Sequence, residues 1–182
     1  RKVIWKKGMG HSLGAIISMA KYGSTNYQLS LSPYSQTFYI EWKIDQTRSD
    51  YNIVFDQDIH GEIDIEKLNH AVRRLISEHV LLNSHVKSSD EDLYWVENKD
   101  TPAIERLLIK TDTSEVHSYI TKPFNLEKGP LYRFGIIDYG NGKYRFVVVL
   151  HQIIIDDRSL GCFANELSRY YNDENYKSRI SI

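Results

Sequence analysis

Leu150-His151-Gln152-Ile153-Ile154-Ile155-Asp156-Asp157 is the stretch on which the reading of this chain turns. Phe146 to Leu150 is an unbroken apolar run of β-type residues that delivers a histidine to its end. A short apolar loop follows, then two acids. Leu160, Phe163, Ala164, Leu167 and Tyr171 then recur at helical spacing, with Ser159 or Asp157 placed to cap that helix. A strand that ends in polar side chains and runs into a helix holds chemistry on a rigid support.

Working outward, Tyr139-Gly140-Asn141-Gly142 separates Leu131–Asp138 from Lys143–Leu150, a strong hairpin signal. Further upstream, Ser32-Pro33 opens a helix through about Trp42, since proline is tolerated in a first turn. Tyr51 to Ile59 alternates as a strand, and His60-Gly61 turns it. Asp64 caps a helix whose stripe is Ile65, Leu68, Val72, Leu75, Ile76 and His79. Leu81–Val86 and Leu93–Glu97 are strand candidates separated by the charged Lys87–Asp92. Pro102–Lys110 fits helix or strand, and Ser114–Thr121 is a short helix ended by Lys122-Pro123. Helices mixed with non-adjacent strands and one hairpin indicate an α/β fold, a mixed β-sheet packed by helices.

The bulk numbers exclude several classes. With 182 residues and 41 % hydrophobic content, the chain can build one ordinary core. A net charge of −1 leaves no footprint for nucleic acid. No apolar run approaches a membrane span, and the first residues lack a signal-peptide pattern. A lone cysteine, Cys162, cannot form an internal disulfide, which favours a reducing compartment, most simply the cytoplasm. Cys162 lies off the apolar stripe with no base beside it, and the 7 histidines show no metal-ligand spacing, so no metal site is expected. The 13 tyrosines are scattered and read as packing residues.

The segments, taken in order, resemble the N-terminal lobe of a nonribosomal peptide synthetase condensation domain, within the chloramphenicol-acetyltransferase-like acyltransferases. That family's His-His-x-x-x-Asp-Gly signature corresponds to His151 through Asp157. Phe124-Asn125-Leu126-Glu127-Lys128-Gly129-Pro130-Leu131-Tyr132-Arg133 looks like its "F-D-L-x-x-G-P-L-x-R". Tyr51-Asn52-Ile53, Gly61-Glu62-Ile63-Asp64 and the Leu68–His79 helix resemble its "Y-N-I", "G-x-L-D" and "L-x-x-A-L-x-x-L-x-x-R-H". The likeness runs from about Gln28 to Asn172. It implies one lobe of a two-lobed acyltransferase, over residues 27–182. It also implies two partners: a second, C-terminal lobe, and carrier-protein domains that present phosphopantetheine arms, with no cofactor bound directly. The implied reaction is amide-forming transfer of a carrier-bound acyl thioester to an amine, with Gln152, His151 and Asp156 as the site.

Within that resemblance the chemistry departs from the pattern. The second signature histidine, which orients the amine or takes its proton, is Gln152, and an amide accepts no proton near neutral pH. Loss of a general base typically costs ~10²–10⁴-fold in rate. The signature aspartate usually pairs with an arginine from a segment like "L-R-T-R-F". Here that segment is Leu82-Asn83-Ser84-His85-Val86, which leaves His85 as the nearest partner for Asp156. The closing glycine is Asp157, and Thr37 stands where the opening motif has arginine. These departures imply an impaired transferase or, alternatively, a non-catalytic carrier-docking module of the same fold.

Residues 1–26 read as a boundary segment with a short helix, Ser12–Lys21, or as the remnant of a carrier domain. Gly10-His11-Ser12-Leu13-Gly14 fits two further patterns. As Gly-His-Ser-Leu before a helix it resembles a carrier's phosphopantetheine attachment site, with Ser12 as the modified serine. As Gly-x-Ser-x-Gly it resembles a nucleophile elbow, giving a third reading as a serine hydrolase or transferase. The bland alternative is that Ser12 is a helix N-cap.

Overall fold

Two sheets share one core, and the strand that ends at His151 lies inside the larger of them. The computed structural model describes residues 29–89, 92–100, 104–107, 113–156, 159–173 and 176. In chain order these form β1 (Leu29–Ser30), α1 (Pro33–Ile44), β2 (Asn52–His60), α2 (Ile65–Glu78), β3 (Ser84–Ser89) and β4 (Asp92–Glu97). They continue as β5 (Glu105–Leu107), α3 (Thr113–Thr121), β6 (Tyr132–Gly140), β7 (Lys143–His151) and α4 (Ser159–Asn172).

The four-stranded sheet has the order β2-β7-β6-β5, with β5 parallel to β6 and the other pairs antiparallel. β7 is therefore internal, and Phe146 to His151 are all buried. This accounts for its continuous apolar run, since both faces are covered. Phe134 of β6 stacks on Phe146 of β7 and, at 6.3 Å, on Phe163 of α4. Its neighbour Arg133 donates through Nε to Tyr119 O of α3 at 2.9 Å. Successive strand residues point to opposite faces, so α4 covers one side of the sheet and α3 the other.

The helix starts follow their capping residues. Ser32 Oγ accepts the Ser35 N–H at 3.1 Å and Asp64 Oδ1 accepts the Lys67 N–H at 2.9 Å. α1 runs two residues beyond the expected Trp42, to Ile44. The smaller sheet, β1-β4-β3, differs more from expectation. Leu81 to Asn83 form a turn rather than the start of a strand, and the charged Lys87 to Ser89 belong to β3. The turn is held by Ser84 Oγ donating to Val80 O at 2.6 Å and by the Asn83 N–H donating to His79 O. In the ambiguous 102–110 region the described residues 105–107 are strand. No helix among the described residues is long and apolar enough to cross a membrane.

Candidate functional site

Four sequence-distant segments meet at the end of β7. The His151 N–H donates to Leu131 O at 2.9 Å, and the Gln152 N–H to Tyr51 O at 2.9 Å. The loop is thus pinned on one side by the Phe124–Arg133 segment and on the other by the residue that precedes β2. Phe38, Tyr51 and Phe124 place their rings about His151, with centroids 6.3, 6.1 and 6.1 Å away. Phe124 is held from behind by Trp42 Nε1, which donates to its carbonyl at 3.1 Å, and by the Arg133 guanidinium, 4.1 Å from its ring centroid.

His151 is 5 % exposed, and its Nδ1 accepts the Ile153 N–H at 3.1 Å. With Nδ1 used as an acceptor, the neutral ring carries its proton on Nε2. Burial lowers its pKa to about 4, with the Asp50 charge pulling the other way. His151 is therefore a neutral imidazole that shapes the loop from within, and it is absent from the lining of the neighbouring chamber. Its ring thus faces away from the chamber that Gln152 borders, because adjacent residues at a strand end face opposite ways.

Gln152 does reach that chamber, a cavity of about 250 Å³ between the 152–155 loop, the smaller sheet and the ends of α1, α2 and α4. Its side chain is half-buried and makes no hydrogen bond among the described residues. Asp156 also borders the chamber. Its Oδ1 accepts the Ser159 N–H at 2.7 Å, so Asp156 caps α4, and Ser159 lies inside the helix. His85 does not serve it; His85 Nδ1 instead pairs with Asn98 Oδ1 at 2.9 Å. Asp157 and Ser12 lie outside the described residues. Cys162 is exposed, and no metal-holding cluster occurs among the described residues.

Two further polar residues border the chamber. His79 Nε2 and Glu166 Oε2 lie 2.8 Å apart, with side chains 3 % and 5 % exposed. Sequence periodicity placed His79 on the inner stripe of α2 without assigning it a partner. Glu166 carried a usable signal, since it follows Phe163 by three residues and so falls on the inward face of α4.

The Condensation domain family model matches residues 26–181. The chain belongs to the condensation-domain family. Surfactin synthase subunit 1 of Bacillus subtilis (strain 168) is 26 % identical over 147 residues, which span 79 % of this chain and 4 % of that protein. Nonribosomal peptide synthetase tcpP of Claviceps purpurea (strain 20.1) is 29 % identical over 157 residues, spanning 85 % of this chain and 8 % of that protein. The starter condensation domain of rhizomide synthetase RzmA superposes with a TM-score of 0.76 at 17 % identity, covering 86 % of this chain and 42 % of that one. The first condensation domain of the CDA synthetase superposes with a TM-score of 0.73 at 16 % identity, covering 87 % and 44 %. The chain thus has the fold of part of a condensation domain, with the mixed sheet and flanking helices expected of a chloramphenicol-acetyltransferase-like lobe. It spans less than half of those solved domains and a small fraction of the synthetases.

Proposed function

We propose that this chain is the N-terminal lobe of a condensation domain that brings a carrier-bound acyl thioester to an acceptor amine. The acyl group arrives on a phosphopantetheine arm, and a second lobe closes the reaction space. The amine nitrogen attacks the thioester carbon and the C–S bond breaks. The amine's proton and the departing thiolate combine to give a free thiol. Gln152 supplies hydrogen bonds that orient the amine but accepts no proton, so transfer rests on proximity.

The observation that carries this reading is the state of the loop. Its backbone is tied at His151 and Gln152 to two different segments, yet the Gln152 side chain makes no hydrogen bond among the described residues and borders a cavity. A non-catalytic docking role for the same lobe is favoured by a separate fact: neither residue 151 nor residue 152 offers a proton acceptor. His151 is neutral with Nδ1 already engaged, and Gln152 is an amide.

Replacing Gln152→His in the full-length protein and assaying transfer from a loaded carrier separates the two. A gain of about 10²-fold or more supports a transfer centre that lacks its base. An unchanged rate with carrier binding intact supports docking alone. Absence of both binding and transfer removes both readings.

A further inference from the structure

Gln152 is held by a hydrogen bond that lies outside the sheet. The β2–β7 ladder begins with the Asn52–His151 pair, so the bond from the Gln152 N–H to Tyr51 O sits one residue beyond it. Bonds at the end of a ladder open more readily than those inside it, unless something fixes the residue that supplies the acceptor. Tyr51 is fixed from three directions. Its ring meets that of Phe38 edge-on, with centroids 4.8 Å apart, and its hydroxyl donates to Glu41 Oε2 of α1. The Arg48 guanidinium lies 5.0 Å from its ring centroid.

Arg48 joins these contacts into one cluster. Its Nε and Nη2 donate to the two carboxylate oxygens of Asp50, and its Nη1 donates to Glu41 Oε2 at 3.0 Å. The contact with Asp50 is a two-point fork, which fixes direction as well as supplying attraction. Arg48 and Glu41 are half-buried and Asp50 is exposed. Single exposed ion pairs add little to stability, whereas a forked pair within a network holds a geometry. The cluster spans α1 and the 45–51 loop, the two segments whose spacing sets where the Tyr51 carbonyl stands.

We infer that Arg48 is a positioning residue for the transfer centre. It clamps the 45–51 loop to α1, which holds the Tyr51 carbonyl against the Gln152 N–H and so fixes the point from which the Gln152 side chain reaches the chamber. The assignment rests on the acyl-transfer reading above. Arg145 supplies a control, because it pairs with Asp58 across the same two strands at the end remote from Gln152.

Hydrogen exchange at the Gln152 amide, read beside transfer from a loaded carrier in the full-length protein, tests this. In Arg48→Ala that amide is expected to lose about 10-fold in protection, the effect of one weakened hydrogen bond, while the amides of Phe146 to Val149 inside β7 keep theirs. The kcat for transfer is expected to fall about 10-fold, within the ~10²-fold that a misplacement of about 1 Å can cost, with KM for the loaded carrier changed less than about 2-fold. Arg48→Lys keeps the charge without the planar fork and is expected to recover less than half of either loss. Arg145→Ala is expected to leave both readouts unchanged.

Full recovery in Arg48→Lys overturns the inference, as does protection lost equally along β7, which marks a merely structural role. In a wild type that transfers, a fall in only one of the two readouts overturns it as well. Should Arg48→Ala fail to fold by near-ultraviolet circular dichroism, Tyr51→Phe removes the hydroxyl alone, and unchanged protection at Gln152 in that variant overturns the inference instead. Protection and transfer both retained in Arg48→Ala remove the clamp and leave the transfer reading standing. No transfer by the wild type removes the transfer reading and the positioning role with it, and a fall in Gln152 protection then marks loop support alone.

Discussion

Two buried histidines lie on either side of the 152–155 loop, and their surroundings are unlike. His151 is enclosed by aromatic rings, with a backbone N–H as its hydrogen-bond partner, so burial outweighs the Asp50 charge in setting its proton affinity. His79 is buried just as deeply but keeps a carboxylate at 2.8 Å. The first environment is cheap to maintain, because a neutral ring needs little solvation. The second holds a polar pair in an apolar setting, where each partner depends on the other. The contrast separates a neutral ring that shapes the loop from a buried polar pair that joins α2 to α4.

The sharpest way to break this contrast is to remove one member of the pair. Glu166→Leu alone is expected to destabilise the fold by about 3–5 kcal/mol in urea titrations, because it strands its partner. The double replacement His79→Phe/Glu166→Leu should recover most of that loss. Equal costs for the single and double variants would show that the two side chains act independently.

Acid titration probes the other side of the comparison. The folded pKa of His151, about 4, lies below the ordinary 6.5, so the unfolded chain binds the proton more readily between those values. Its contribution to stability is complete above pH 6.5 and lost as pH falls towards 4. That contribution is up to about 3 kcal/mol, at 1.36 kcal/mol per unit. His151→Phe should flatten the dependence of stability on pH across this window. A wild-type slope retained in the variant would place the titrating group elsewhere.

Asp156 gives a smaller effect. Asp156→Ala removes the cap of α4 and is expected to cost about 0.5–2 kcal/mol, whereas His85→Ala should leave the α4 cap intact. A double-mutant cycle that couples Asp156 to His85 would restore the bracing role read from the signature. Smallest in energy, though decisive for residues 1–26, is modification of Ser12. Incubation with a phosphopantetheinyl transferase followed by mass spectrometry is expected to add one arm if that segment derives from a carrier domain. An unmodified chain removes that reading.

Much of the architecture was legible because it is local. The apolar run of β7, the Gly140–Asn141–Gly142 turn, and the Ser32 and Asp64 caps each act within a few residues. What misled was also local. Leu81 to Asn83 are apolar enough for a strand, but Ser84 Oγ and the Asn83 N–H bond back to the end of α2 and hold a turn there.

By itself, then, the sequence determined the order and type of most of the elements, the family, and the replacement of the second motif histidine by Gln152. Tertiary structure alone decided that His151 turns into an aromatic wall, that Asp156 serves α4, and that His79 meets Glu166. The physical reason is distance along the chain. Periodicity and capping act between near neighbours, while the His79–Glu166 contact spans 87 positions and exists only once α2 and α4 have packed together.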